Sequence, residues 1–255
     1  MYQLENIKVT RDQRVILDVD QLSIDPKALT IVMGHNGSGK STLVNLLANH
    51  IRPDEGSVKW KGTLLRHLSS KKLAREIAYL PQTLPEVAGL SVEELVRLGR
   101  YPWRGVLSRW TKEDGLYIDQ AIEQTQIGKF RHALADELSG GERQRAWIAM
   151  LLAQQSGLLI LDEPTSALDV QYQYQIMDLL QRLNQETGKG VVVILHDLNL
   201  ALRYATKVIA LKQGRIAFEG DASVLHDENR LTELFSTHVQ LINHPNKNAK
   251  VAVIC

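Results

Sequence analysis

Leu29-Thr30-Ile31-Val32-Met33-Gly34-His35-Asn36-Gly37-Ser38-Gly39-Lys40-Ser41 is a short, largely apolar run that breaks into glycines and closes on Lys-Ser. The run from Leu29 to Met33 reads as a buried strand, and helical spacing takes over from Ser41 to Asn49. Between them, Gly34 to Ser41 fits G-x-x-x-x-G-K-S/T in the strand–loop–helix order that a phosphate loop requires. Glycines let successive backbone N–H groups turn toward a polyphosphate, and the helix start adds its positive end. Lys40 then reaches the β and γ phosphates, and Ser41 can ligate Mg²⁺.

Outward from this loop the alternation of elements continues. Gln3 to Ile31 is β-rich and punctuated by turns. Arg52-Pro53-Asp54-Glu55-Gly56 turns into a β stretch from Ser57 to Lys61, and Ile77 to Leu80 is a strand stopped by Pro81. From Leu90 to Ala153 the spacing is helical, opened by a Ser91–Glu94 capping box. Leu158 to Leu161 and Val191 to Leu195 are buried strands separated by helical spacing from Gln171 to Thr187, which implies right-handed crossovers and a parallel sheet. Val208 to Ala217 reads as a hairpin turning on Gln213-Gly214, and the tail from Asp221 as a small helix with an irregular end. The expected architecture is α/β: a mixed, mainly parallel core sheet, an N-terminal antiparallel β subdomain and an inserted helical subdomain. All of it falls in one domain over 1–255, with the core at about 1–88 and 154–220, the helical insertion at about 89–153 and a tail at 221–255.

Three further stretches carry chemistry. Leu158-Leu159-Ile160-Leu161-Asp162-Glu163 is a buried strand ending in two acids, where charge is costly without a compensating cation or donor. In open parallel sheets the ligand crevice lies beyond the carboxyl ends of the strands, so this end, the glycine loop and His196 after Val191–Leu195 converge there. Asp162 can hold Mg²⁺ through water and Glu163 can polarise the water that attacks a γ-phosphate. His196 and Gln82, whose amide could ligate Mg²⁺ or water, are singled out by position; taken alone, each reads as an ordinary polar residue. Leu138-Ser139-Gly140-Gly141-Glu142-Arg143-Gln144 has a structural reading as a Ser139–Glu142 capping box. Such a box does not require Gly-Gly, which costs about 1 kcal/mol per glycine relative to alanine, so close approach of backbone N–H groups to an anion is the compensating gain.

Composition limits the rest. Thirty Lys and Arg against 29 Asp and Glu give a net charge of +1, without the basic excess that nucleic-acid backbones select. Cys255 is the single cysteine, so no intrachain disulfide forms, in keeping with a reducing cytoplasm. No secretion-signal pattern opens the chain, and no run reaches the ~18 apolar residues that span a bilayer.

Gly34 to Thr42, Gln82, Leu138 to Gln144, Leu158 to Glu163, Ser166-Ala167-Leu168-Asp169 and His196 together resemble the motif set of the ATP-binding cassette ATPases. The resemblance implies a RecA-like P-loop NTPase fold, ATP and Mg²⁺ as cofactors, and a head-to-tail pair of copies. Gly34, His35, Asn36, Gly37, Ser38, Gly39, Lys40, Ser41 and Thr42 of one copy and Ser139, Gly140, Gly141, Glu142 and Gln144 of the other would sandwich each ATP, with Asp169 communicating across the interface. It further implies Ser41, Gln82 and Asp162 as metal ligands, and Glu163, His196 and Gln82 as catalytic groups. Integral-membrane permease subunits and, indirectly, a substrate-binding protein follow as partners, nucleic acid does not, and the chain is placed on the cytoplasmic face of the inner membrane.

Gly99-Arg100-Tyr101-Pro102-Trp103, Arg143 to Met150 and Leu195 to Asn199 resemble the ATPases of ferric siderophore importers, the hydroxamate type most closely; haem, cobalamin and other cargoes are the alternatives. Many members of the family stack adenine on an aromatic residue ahead of the loop. Here that stretch is Arg11-Asp12-Gln13-Arg14, where an arginine plane could stack. The Tyr101–Arg104 cluster is read as a permease contact, with a cap on the helical subdomain as its structural alternative. Chromosome-type ATPases with the same sandwich carry long heptad insertions, which are lacking here, and a phosphate-loop kinase leaves Ser139-Gly140-Gly141 unexplained.

Overall fold

A computed structural model describes residues 1–105, 108–246 and 249–255. In chain order the elements are β1 (Tyr2–Arg11), β2 (Arg14–Ile24), β3 (Leu29–Met33), α1 (Lys40–Leu47), β4 (Glu55–Trp60), β5 (Thr63–Leu64), α2 (Ser70–Glu76), β6 (Ile77–Leu80), α3 (Val92–Leu98), α4 (Lys112–Gln124) and α5 (Gly140–Ala153). There follow β7 (Leu158–Leu161), α6 (Val170–Thr187), β8 (Gly190–Ile194), α7 (Leu198–Tyr204), β9 (Lys207–Lys212), β10 (Arg215–Asp221), α8 (Glu228–Phe235), β11 (Val239–Asn243) and β12 (Lys250–Ile254).

Six strands in the order β10-β9-β3-β8-β7-β6 make the central sheet, parallel except for the β9–β10 hairpin. Strands β3, β7 and β8 are buried at every position, as strands covered on both faces must be. Alternate residues supply two separate apolar layers because successive side chains point to opposite faces. Ile31, Leu159, Leu161 and Val193 pack toward the helices α3 to α6. Val32, Ile160, Val192 and Ile194 pack toward α1 and the antiparallel sheet β2-β1-β4-β5. That second sheet buries Tyr2 and Leu4 and then Ile7 and Val9, the alternation slipping by one residue at the irregularity between Glu5 and Lys8, where Asn6 adopts φ 50°. The turn between β1 and β2 places Asp12 and Gln13 at φ 48° and 63°, the twist-matched geometry of a tight hairpin.

Helices α3, α4 and α5 pack on one another. The Ser91–Glu94 box forms as expected, with Ser91 N donating to Glu94 Oε2 at 2.8 Å. Inside this helical body Arg100 donates to Asp114 Oδ1 at 2.9 Å and to the Ala153 carbonyl at 2.8 Å. Both side chains of the pair are buried, so removing either would strand a charge.

Two regions depart from the sequence reading. The end of the tail is not irregular, because β11 and β12 pair antiparallel from Val239↔Ile254 to Asn243↔Lys250. This ribbon is held by α7, where Asn199 Oδ1 accepts from Ala252 N at 2.8 Å. A two-stranded ribbon is marginal by itself, and the tertiary anchor that decides it leaves no local signal. Helix α2 has 7 residues, too few for a periodic pattern, and is marked only by Ser69, whose Oγ accepts from Lys72 N.

Candidate active site at the ends of the parallel strands

The loop between β3 and α1 requires its glycines in different ways. Gly34 sits at φ 143°, and a Cβ there would lie 2.1 Å from the Leu211 carbonyl oxygen. Gly39, at φ 100°, would press its Cβ to 3.0 Å from the Ile16 carbonyl oxygen. The same Ile16 oxygen packs from the other side on Gly214, where a Cβ would come within 2.6 Å. Gly214, in the β9–β10 turn, also donates its N–H to the Ser38 carbonyl at 3.0 Å. The antiparallel sheet and the β9–β10 hairpin therefore clamp the loop from two sides, a role the sequence does not signal beyond the turn-forming Gln213-Gly214.

Lys40 opens α1 and is buried. Its Nζ donates to the Gly34 carbonyl at 2.9 Å and the His35 carbonyl at 3.1 Å, so the ammonium arches over its own loop. Burial lowers its pKa, while Glu163 and Asp162 oppose that shift. Strand β7 delivers Asp162 and Glu163 across from it. Asp162 is buried, and burial followed by the Glu163 charge pushes its carboxyl above the usual range against the pull of Ser41, Lys40 and His196. Ser41 Oγ faces Asp162 Oδ1 at 3.4 Å. A buried carboxylate opposite a hydroxyl, with burial opposing its charge, is the oxygen donor set that suits a hard cation.

Glu163 adopts φ 49°, a left-handed conformation that a non-glycine residue holds only where its surroundings dictate it. Gln82 Nε2 donates to its Oε2 at 2.7 Å, and His196 Nε2 lies 2.5 Å from its Oε1. The carboxylate is thus gripped from both sides at the mouth of a cleft lined by Asn36, Lys40, Ser41, Thr42, Gln82 and His196, with Glu163 itself. Ile16 also lines it. Among the described residues it is Ile16, and neither Arg11 nor Arg14, that the β1–β2 hairpin brings to this cleft.

The remaining predicted residues stand elsewhere. Ser139 begins α5, where its N–H and Oγ both donate to Glu142 Oε2, at 3.1 and 2.6 Å. Gln144 is buried one turn on. Asp169 caps α6 by accepting from Tyr172 N at 3.0 Å. The glycine pair divides: a Cβ on Gly140 would meet only Leu168 Cδ2 at 3.5 Å, whereas on Gly141 it would lie 2.4 Å from Tyr172 Cδ1. Packing therefore requires Gly141 to lack a side chain, independently of any anion. None of these residues lines the cleft of Lys40 and Glu163.

A strand–glycine loop–helix cradle facing a gripped carboxylate defines a phosphate-loop nucleoside triphosphatase. The ABC transporter family profile matches residues 17–166, and the chain belongs to that family of ATPases. It is 40% identical over 241 residues, 94% of this chain and 88% of the relative, to the probable siderophore transport system ATP-binding protein YusV of Bacillus subtilis (strain 168). The iron(3+)-hydroxamate import ATP-binding protein FhuC of the same bacterium is 37% identical over 249 residues, 98% of this chain and 93% of the relative. Among solved structures, an ATP-binding cassette captured as a dimer in a post-hydrolysis state with ADP and Pi is similar at a TM-score of 0.75 and 30% identity, covering 87% of this chain and 99% of that one.

Proposed function

We propose that this chain powers a ferric siderophore importer, with two copies pairing head to tail on the cytoplasmic face of the membrane beneath separate permease subunits that a substrate-binding protein feeds. One nucleotide-binding domain suffices, with its core at about 1–88 and 154–220, a helical arm at 89–153 and a tail at 221–255. The backbone of 34–42 and Lys40 take the phosphates of ATP, and Ser139, Gly140, Gly141, Glu142 and Gln144 of the second copy close over them, with Asp169 at the seam. Ser41, Gln82 and Asp162 would hold Mg²⁺, which neutralises charge developing on the phosphate oxygens. Glu163 accepts the proton of the attacking water. His196 and Gln82 fix the Glu163 carboxylate and leave it nowhere to turn.

The observation that carries the hydrolytic reading is the grip on Glu163, 2.7 Å from Gln82 Nε2 and 2.5 Å from His196 Nε2. A catalytic base must be held in one geometry, and an ordinary acidic turn has no need of two such partners. Glu163→Gln is expected to lower kcat by about 10²–10⁴-fold and, with ATP and Mg²⁺, to accumulate a dimer in size-exclusion chromatography with light scattering. A variant that stays monomeric under those conditions would overturn the shared-site reading.

The permease side rests on a groove beside the edge strand β6, lined in part by His50, Ala74, Tyr79, Pro81, Trp147 and Gln154. Among the described residues no Asp, Glu, Lys or Arg lines it, which suits a polypeptide segment and not a polyphosphate. Trp147 lends the groove its ring, and among the described residues its buried Nε1 has no hydrogen-bond partner. The neighbouring Trp103 is 41% exposed yet braced, its Nε1 donating to the Gln154 carbonyl at 2.6 Å and its ring beneath Arg75 at 4.8 Å. Pro81 lines the groove and Gln82 holds Glu163, so occupancy of the groove and the state of the carboxylate share one loop.

A further inference from the structure

The two segments assigned to the dimer face, Ser139–Glu142 at the start of α5 and Ser166–Asp169 at the start of α6, meet on a single aromatic ring. Tyr172 stands in the first turn of α6, and its N–H donates to Asp169 Oδ1 at 3.0 Å. Its ring fills the space beside Gly141 that a side chain would need: a Cβ built there would sit 2.4, 2.8 and 2.8 Å from Cδ1, Cε1 and Cγ. Leu168 Cδ2 adds a contact to Gly140, 3.5 Å from where its Cβ would be, and Gln173 Nε2 holds the Leu168 carbonyl at 2.9 Å. One turn further along, Arg145 Nη2 donates to Gln175 Oε1 at 3.0 Å. The helix starts are therefore joined by a ring seated on bare backbone, an approach that any side chain at 141 would prevent.

We propose that Tyr172 is a positioning residue that locks the Ser139 turn to the Asp169 turn, so that a second copy meets them as one pre-set surface. The inference rests on the shared-site reading above and adds to it a residue that touches neither nucleotide nor metal. It also gives Gly141 a purpose distinct from anion approach. If the glycine is there for the ring, removing the ring should make the position tolerant. If it is there for a phosphate, removing the ring changes nothing at 141.

A mutant cycle separates these. Gly141→Ala is expected to lower kcat on the order of 10–100-fold, the cost of a misplaced contributor to the site. Tyr172→Ala should lower kcat as well, and Tyr172→Phe should retain the wild-type rate. In the Tyr172→Ala background, adding Gly141→Ala should cost less than about 2-fold, the non-additivity of two groups in contact. Affinity of the monomer for a fluorescent ATP analogue should match wild type throughout, because 34–42 is untouched. A general loss of structure would instead lower affinity and thermal midpoint together. Should Tyr172→Ala not fold, Tyr172→Leu takes its place in the cycle.

An equal loss from Gly141→Ala in both backgrounds would overturn the inference, as would a Tyr172→Phe variant as slow as Tyr172→Ala. A fully active Gly141→Ala in a protein whose Glu163→Gln form dimerises with ATP would overturn it while leaving the shared site standing. Failure of Glu163→Gln to dimerise would remove the shared site and this inference with it.

Discussion

The chain carries two helix starts with phosphate-binding signatures, and the structure finishes them to different degrees. At α1 the loop from Gly34 to Gly39 is clamped by Leu211, Ile16 and Gly214, and Lys40 is already drawn over it onto the Gly34 and His35 carbonyls. At α5 the Ser139 N–H and hydroxyl are turned inward to Glu142, and this turn lies outside the lining of the cleft that Lys40 shares with Glu163. The first start belongs to a cleft whose lining one chain supplies, and the second is satisfied by itself until something else arrives. On the shared-site reading proposed above, that asymmetry is what a composite site looks like from one of its halves, with nucleotide affinity expected of the α1 half and turnover expected to need both.

The largest effect expected from breaking the complete half is at Lys40. In its proposed role Lys40 makes a charge-assisted contact to the β and γ phosphates, so in Lys40→Ala ATP binding to the monomer should weaken sharply and turnover should vanish while the circular dichroism spectrum is unchanged. Equilibrium dialysis with ATP checks this, and wild-type affinity in the variant would break the division of labour. His196→Ala comes next. It removes one of the two groups holding Glu163 while leaving the cradle intact, so kcat should fall by about 10²-fold or more with monomer affinity for ATP nearly unchanged. Rapid-mixing hydrolysis assays beside the same binding measurement would detect it, and an unaltered kcat would leave His196 a structural hydrogen-bond partner.

Sequence reading captured the half whose signals are local. Gly34 to Ser41 announces itself because a strand, glycines, a lysine and a helix start occur in covalent order, and Asp162, Glu163 and His196 follow because parallel topology sends strand ends to one edge. Ile16 was not legible as a cleft residue, since its place depends on Gly39 and Gly214 pinching a strand from segments far apart in the chain. Gly141 was legible as unusual, but its contact lies across 31 residues at Tyr172, and the periodicity of either helix says nothing about that meeting. The β11–β12 ribbon escaped for a related reason, because Asn199 supplies its anchor from another element.

The smallest predicted effect tests the electrostatic side of the comparison, where the two halves have opposite signs. Burial raises the pKa of Asp162, so in the nucleotide-free protein its ionised form costs stability: the cost is absent at low pH, where the group is protonated, and grows as pH rises through the raised pKa. Glu142 is the reverse. Its bonds to the Ser139 hydroxyl and N–H lower its pKa, so its contribution is present at neutral pH and is lost as pH falls through the lowered pKa. Asp162→Asn should therefore raise the thermal midpoint of the metal-free, nucleotide-free protein at neutral pH, by roughly 2–4 °C for each kcal/mol relieved, with the gain shrinking toward acid. Glu142→Gln should lower the midpoint slightly at neutral pH, and that loss too should shrink toward acid. Added ATP and Mg²⁺ should reverse the ranking for Asp162, stabilising wild type over Asp162→Asn, because the carboxylate then has a cation to face. Differential scanning calorimetry across the pH range, with and without nucleotide and metal, reads both variants at once. If Asp162→Asn were no more stable than wild type at neutral pH without ligand, the α1 half would be relaxed when empty, and the contrast between a strained, complete cleft and a self-satisfied helix start would not hold.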